Sequence, residues 1–266
     1  MNKREIIDVL IPVVEKDLDV LPYVIDAARK NVRHPIGEIF IVAPESSKIQ
    51  NLSIEKNCKF IDENTILPIT KKDIDYCPKK RNSYVDRSGW LFQQLLKLSG
   101  DTLSSREGYL VLDADTVLIR PHIFEQNNKT VFFLRSLYYR PYFETYLKLL
   151  GENAIGPSRS TFFISHYMFF KKKRVAELKK LIETRHQTDW YSAILDSMNK
   201  KKWDSFSEYE TYGNFMLKNY PEQIILKSRR NLGLKRSSIK NISRINIKEL
   251  ANKHGIRSMS FHSWNT

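Results

Sequence analysis

Tyr109-Leu110-Val111-Leu112-Asp113-Ala114-Asp115-Thr116-Val117-Leu118-Ile119-Arg120-Pro121 joins an apolar run to two closely spaced aspartates and a second apolar run. Its apolar start has the character of a strand buried on both faces. Two carboxylates follow at once, separated by the small Ala114. Residues two apart in extended backbone point to one side, so Asp113 and Asp115 are expected to aim at a common point with Ala114 turned away. Carboxylates that close repel each other, and a divalent cation removes the conflict. Oxygen ligands favour Mg²⁺ or Mn²⁺ over zinc. The same spacing recurs at Asp17-Leu18-Asp19 and Asp73-Ile74-Asp75. Those copies lie in a loop before a helix and in a lysine-rich loop, and read as solvated turns. A strand ending in an ordinary acidic turn is the plain alternative for Asp113–Asp115.

Working outward, short apolar runs alternate with helical patterns. Ile6 to Ile11 reads as a strand stopped by Pro12, and Leu21 to Asn31 as a helix with Val24, Ile25 and Ala28 on one face. Glu38 to Ala43 and Lys59 to Ile61 are further strands. Ser88 to Leu98 is a helix presenting Leu91, Leu95 and Leu98, with Ser88 or Asp86 as its N-cap. Such alternation predicts a mostly parallel α/β sheet covered by helices, with ligands bound beyond the carboxyl ends of its strands. Downstream, Thr130 to Leu134 and Phe162 to Phe170 read as strands, and Val175 to Thr184 and Tyr209 to Leu217 as helices. No Pro/Gly/Ser-rich linker divides the chain, so residues 1–266 are expected to form a single domain.

Composition narrows the classes. With 41% hydrophobic residues the chain can build a core, and no run of about 18 apolar residues offers a spanning helix. The start reads as a first strand and not a signal peptide. Two cysteines, Cys58 and Cys77, give neither a disulfide framework nor zinc spacing, which suits the cytoplasm. The net charge of +14 is concentrated in two places. Lys227 to Arg257 holds ten Lys/Arg against the single acid Glu249, and Lys171 to Arg174 continues to Lys179 and Lys180. Patches of this kind suit diphosphates, anionic membrane surface or nucleic acid; the bland reading is a solvated face. A basic nucleic-acid-binding protein is therefore one alternative, although no specific nucleic-acid signature accompanies the charge.

Tyr109 to Pro121 resembles the DxD segment of GT-A glycosyltransferases. The helix Gly89 to Leu98 and the segment Ser207-Glu208-Tyr209-Glu210-Thr211-Tyr212-Gly213 add to the likeness. Together they are similar to a poorly characterised bacterial group linked to surface polysaccharides. The resemblance implies a Rossmann-like nucleotide-binding sheet with a continuous acceptor-side subdomain, divided as 1–120 for the nucleotide sugar and 121–266 for the acceptor. It implies Mn²⁺ or Mg²⁺ on Asp115, with Asp113 on the metal or the donor ribose, and a UDP-sugar as donor along Asp113-Ala114. It implies a saccharide or lipid-linked acceptor, and work in the cytoplasm or at the inner face of the plasma membrane. Many such enzymes take a C-terminal His as a ligand to metal or diphosphate, which points to His262. Pro12 and Val13, at the end of the first strand, would line the base pocket.

Glycosyl transfer also asks for groups the family likeness does not name. Negative charge develops on the leaving diphosphate, and Arg87 and Lys97 stand beside the helix that precedes the acidic stretch. Trp90 and Gln93 offer a stacking face and a hydrogen-bonding partner for a nucleotide base, although Trp90 equally suits the core. An inverting enzyme needs a carboxylate base. Glu208 is the candidate, with Glu210 as an acceptor-binding group; on a helix the two point in different directions, so one is expected to reach the site. Exposed acids at a helix start are the bland alternative. Ser160 to Phe170, with His166, reads either as an aromatic acceptor wall or as core. The run Leu110 to Leu118 also resembles the nucleophile motif of haloacid-dehalogenase-type phosphatases, with Asp113 attacking phosphorus. Against it, Asp189, Asp196 and Asp204 follow no apolar strand, and a full set of strands precedes the motif.

Overall fold

Ile7–Pro12 forms β1, every residue of it buried, at the middle of a five-stranded sheet. The computed structural model describes residues 4–136, 138–156, 161–228, 230–241, 249 and 255–262. The first half runs β1, α1 (Leu21–Asn31), β2 (Ile36–Ala43), α2 (Ser47–Glu55), β3 (Lys59–Asp62), then a hairpin of β4 (Lys79–Lys80) and β5 (Ser83–Tyr84). It continues through α3 (Ser88–Leu98), α4 (Gly100–Leu103), β6 (Gly108–Leu112) and β7 (Thr116–Leu118). The second half holds β8 (Glu125–Gln126), β9 (Lys129–Ser136), α5 (Arg140–Leu150), β10 (Thr161–Phe162), β11 (Tyr167–Lys171), α6 (Lys172–His186) and α7 (Trp190–Ser197). α8 (Glu208–Asn219), β12 (Ile224–Ser228), β13 (Asn231–Lys235) and β14 (Ser258–His262) follow.

The central sheet has the order β11-β6-β1-β2-β3. β6, β1, β2 and β3 pair parallel, and β11 closes the edge antiparallel to β6. Because side chains alternate across a pleated strand, this sheet feeds two cores. Tyr109 and Val111 of β6, with Met168 and Phe170 of β11, join α3 and α5 to α8 on one face. Leu110 and Leu112, with Tyr167 and Phe169, join α1, β7 and β14 on the other. The fold is thus mixed α/β with a largely parallel centre.

Two smaller sheets flank it. β9 pairs parallel with β12 and antiparallel with β10 and β8. β14 lies between β13, parallel, and β7, antiparallel. This last pairing carries the end of the described chain back to the acidic stretch. The expected strand Phe162 to Phe170 is broken into β10 and β11, with His166 at φ 63° between them. Phe162, Phe163, Tyr167, Phe169 and Phe170 are all buried, so the aromatics of this stretch pack the core and do not wall an acceptor site; Ser160 lies outside the described residues.

The expectation of two solvated Asp-x-Asp turns holds only for the second copy. Asp73 is exposed and caps a short 3-10 turn through Thr70. Asp17 is buried, and its carboxylate meets Arg236, which also approaches Asp19. Among the described residues no helix is long and apolar enough to cross a membrane.

Candidate active site

Asp113 directly follows β6, and its N–H still donates to the His166 carbonyl at 2.9 Å, extending the β6–β11 ladder by one step. By the alternation of the strand its side chain belongs to the face of Tyr109 and Val111, where α3 and α8 pack. There Lys97 Nζ donates to Asp113 Oδ1 at 2.7 Å, and the Tyr209 hydroxyl donates to the same oxygen at 3.2 Å. The other oxygen lies 3.1 Å from His166 Nδ1.

Immediately afterwards the chain turns: Thr116 N–H donates to the Asp113 carbonyl at 3.0 Å. The extended geometry expected across Asp113 to Asp115 is therefore replaced by a turn, and the two carboxylates leave the backbone toward different partners. Ala114 is buried in the core. Asp115 faces β14, where Phe261 N–H donates to its carbonyl at 2.9 Å and His262 Nδ1 lies 3.0 Å from Oδ2. Thr116 and Ser260, opposite each other in the β7–β14 ladder, bring their hydroxyls to 2.8 Å and fix that register. The carboxylates are reconnected through their histidines, since the His166 and His262 rings stand 5.1 Å apart.

Behind Asp113 lies a buried charge chain. Lys97 Nζ is 3.0 Å from Glu208 Oε1 and 4.6 Å from the Tyr209 ring centre. Burial works against the Lys97 charge, but Asp113 and Glu208 outweigh it and hold its pKa above the ordinary lysine range. Burial likewise disfavours ionised Asp113, yet Lys97 and His166 keep it well below the usual carboxylate range. In Glu208 burial wins over Lys97 and raises the carboxyl. One lysine thus serves two acids, and Asp113 has the stronger hold on it.

Glu208 and Glu210 diverge. Ser207 starts α8 by accepting from Glu210 N–H at 3.2 Å, and both acids then fall in buried turns, each only 1% exposed. They are not the exposed acids of a helix start. Glu210 accepts from Phe163 N–H at 3.0 Å and from Asn214 Nδ2 at 2.9 Å, away from Lys97. Burial pushes its carboxyl up to about 7.

The remaining candidates lie on α3, just before it, and at the end of β1. Trp90, Gln93 and Lys97 follow one face of α3 at helical spacing, the first two half-buried and the last buried. Arg87 lies between two indoles, its guanidinium 4.3 Å from Trp90 and 4.6 Å from Trp203, and pairs with Asp204. Pro12 and Val13 are both buried at the end of β1, with Val13 part of the core and Val14 half-buried beyond it. Tyr209, Trp203 and Asp204 are contacts to which the sequence assigns no specific role, and His166, expected in an acceptor wall or the core, meets Asp113 instead. The aromatic density around Tyr209 was visible in the sequence, but nothing local marks Trp203 or the ring of His166.

Among the described residues no group of three or more His, Cys, Asp or Glu side chains is gathered to hold an ion. Asp113 already satisfies Lys97, Tyr209 and His166. Asp115 Oδ2 and the buried His262 Nδ1 stand 3.0 Å apart, a spacing at which both would be able to meet one ion. Mg²⁺-like ions commonly take one or two protein ligands and complete the shell from phosphate and water.

Residues 29–241 match a sequence family described as a family of unknown function, DUF6492. This chain belongs to that family. No curated protein matches it in sequence. In structure, the DUF6492 chain is similar to mouse xyloside xylosyltransferase 1 in its apo form, at 12% identity and TM-score 0.50, over 98% of this chain and 99% of that one. It also aligns with the bifunctional glycosyltransferase WbbM, at 12% identity and TM-score 0.49, over 98% of this chain and 46% of the other. A third alignment is with the galactosyltransferase LgtC in complex with donor and acceptor sugar analogues, at 11% identity and TM-score 0.46, over 97% and 88%. The fold of this DUF6492 member is GT-A. Such a fold does not favour the haloacid-dehalogenase reading of Asp113.

Proposed function

We propose that the protein is a metal-dependent glycosyltransferase that moves a sugar from a UDP-sugar to a saccharide or lipid-linked acceptor in surface polysaccharide synthesis. The carrying observation is the meeting of Asp115 with His262 at the carboxyl end of β6, beside Asp113, on a GT-A scaffold. Ligands of open α/β sheets bind at that end of the strands. Residues 1–120 would serve the donor and 121–266 the acceptor, as one continuous unit working in the cytoplasm or at the membrane's inner face.

Asp115 and His262 would hold Mn²⁺ or Mg²⁺, which supplies charge stabilisation for the departing diphosphate when bound. Asp113, fixed by Lys97, Tyr209 and His166, presents a carboxylate of defined position to the donor ribose or the ion. Trp90 and Gln93 lie along the approach for the base, and Pro12 and Val13 bound it from the sheet. Arg87, packed against two indoles and paired with Asp204, would add a cation.

Glu208 is buried behind Lys97. This supports a positioning role, in which Glu208 holds the ammonium against Asp113, over direct removal of the acceptor's proton. Glu210, engaged with Phe163 and Asn214, supports the framework of α8.

The deciding experiment is a thermal-shift screen of UDP-hexoses with and without Mn²⁺. A stabilisation that needs both the nucleotide sugar and the ion, and disappears in Asp115→Ala, is the expected result. If no nucleotide sugar shifts the wild-type protein, or if Asp115→Ala responds like wild type, the reading fails.

A further inference from the structure

The two basic clusters of the sequence have different fates. In the first, Lys171 pairs with Glu125, Arg174 with Glu177 and Lys179 with Asp101, so much of its charge is neutralised inside the molecule. In the second, Arg236 is taken by Asp17 and Asp19. Four further cations of or near that cluster, Arg120, Lys227, Arg230 and Arg257, line a single cavity of about 350 Å³.

Topology gathers them. The parallel β9–β12 register sets Lys227 opposite Phe133 on the cavity wall. Arg257 precedes β14 and is stitched on both sides: Ile119 N–H donates to its carbonyl at 2.9 Å, and its own N–H donates to the Arg230 carbonyl at 2.8 Å. Arg120 follows Ile119 and so lies at the same end of the β7–β14 pair. Gly255, at φ 61°, leaves room for Arg230, because a Cβ there would stand 2.4 Å from its Nη1.

Among the described residues no acidic side chain lines this cavity, and none there is seen to pair with Lys227, Arg230 or Arg257. Arg257 Nε is buried without a hydrogen-bond partner, while its Nη2 donates to the Pro121 carbonyl. Burial, with Arg120 and Arg230 adding to it against Tyr167, lowers the pKa of Arg257. Like charges so arranged repel, and a bound anion removes the repulsion.

We propose that this cavity binds a phosphate-bearing ligand at a site separate from the Asp113–Asp115 centre. Guanidinium forks match phosphate oxygens two at a time, and a lysine adds a point charge. The volume lies at the small end of ligand pockets and suits one or two phosphate groups. From Arg257 to His262 the strand covers roughly 16 Å at about 3.3 Å per residue, too far for one diphosphate to span both places. The phosphate can come from a dissolved molecule or from a lipid headgroup, since the chemistry is shared.

The test titrates inorganic pyrophosphate into metal-free protein, in EDTA, by calorimetry, and runs vesicle flotation with phosphatidylglycerol against phosphatidylcholine. Wild type and Asp115→Ala should bind pyrophosphate alike, and the double variant Lys227→Gln/Arg230→Gln should bind roughly tenfold or more weakly. Both substituted side chains are exposed, so an unchanged melting temperature will show that the fold is intact. Flotation with phosphatidylglycerol that the double variant loses identifies a lipid source; pyrophosphate binding without flotation identifies a dissolved one. The proposal is overturned if wild type binds neither probe, if the double variant binds as wild type does, or if Asp115→Ala abolishes binding.

Discussion

His262 Nδ1 lies 3.0 Å from Asp115 Oδ2, although 147 positions separate the two residues. If this pair holds the ion, His262→Ala weakens Mn²⁺-dependent UDP binding roughly tenfold or more, about 1.4 kcal/mol. Calorimetry with UDP, with and without Mn²⁺, reads this directly. Equal affinities with the ion would remove His262 from the site.

Lys97 is the only cation shown in contact with both Asp113 and Glu208 among the described residues. Lys97→Met leaves the buried Glu208 and the half-buried Asp113 without their shared cation and is expected to cost about 3–5 kcal/mol in urea unfolding. Adding Glu208→Gln should recover part of that loss, because one of the stranded charges is gone. Additive losses would mean that the three groups are not coupled.

Glu210 predicts a pH dependence. Its carboxyl is pushed up to about 7 in the folded protein from an ordinary value of 4.5. Between those values the folded state keeps a proton that the unfolded state has released, so stability falls as pH rises through this window. The upper bound is roughly 3 kcal/mol at 1.36 kcal/mol per unit. Glu210→Gln should lack this decline, making the variant gain on wild type between pH 4.5 and 7. Parallel stability curves for the two proteins would contradict the assignment.

His166 holds a left-handed backbone while its carbonyl and ring both engage Asp113. That conformation costs a non-glycine residue on the order of 1 kcal/mol. His166→Gly should therefore be more stable than His166→Ala by about that amount, while both lose the ring contact. Thermal unfolding of the two variants provides the comparison.

Local pattern carried much of the fold. α1 and α3 run over the residues that their apolar spacing predicts, and β6 differs by one residue. These elements are legible because propensity, periodicity and burial agree within each short segment. The site is less legible because its contacts are distant. Asp17 reads as a solvated turn until Arg236 arrives from the far end of the chain, and Glu208 reads as an exposed helix-start acid until Lys97 is packed against it. Asp113 and Asp115 read as a same-side pair only if strand alternation continues to Asp115, three residues past the end of β6 at Leu112. The turn at Ala114 breaks that alternation, and no local periodicity announces it.

β14 completes the Asp115 side of the centre, yet it is synthesised long after Lys171 ends the last strand of the central sheet. A nascent chain emerging amino-terminus first can therefore assemble the whole five-stranded platform while His262 is still unmade. On the proposed reading the Asp115–His262 contact waits for β14, so a truncated translation product lacking that strand would hold the central sheet and the Asp113 cluster without His262.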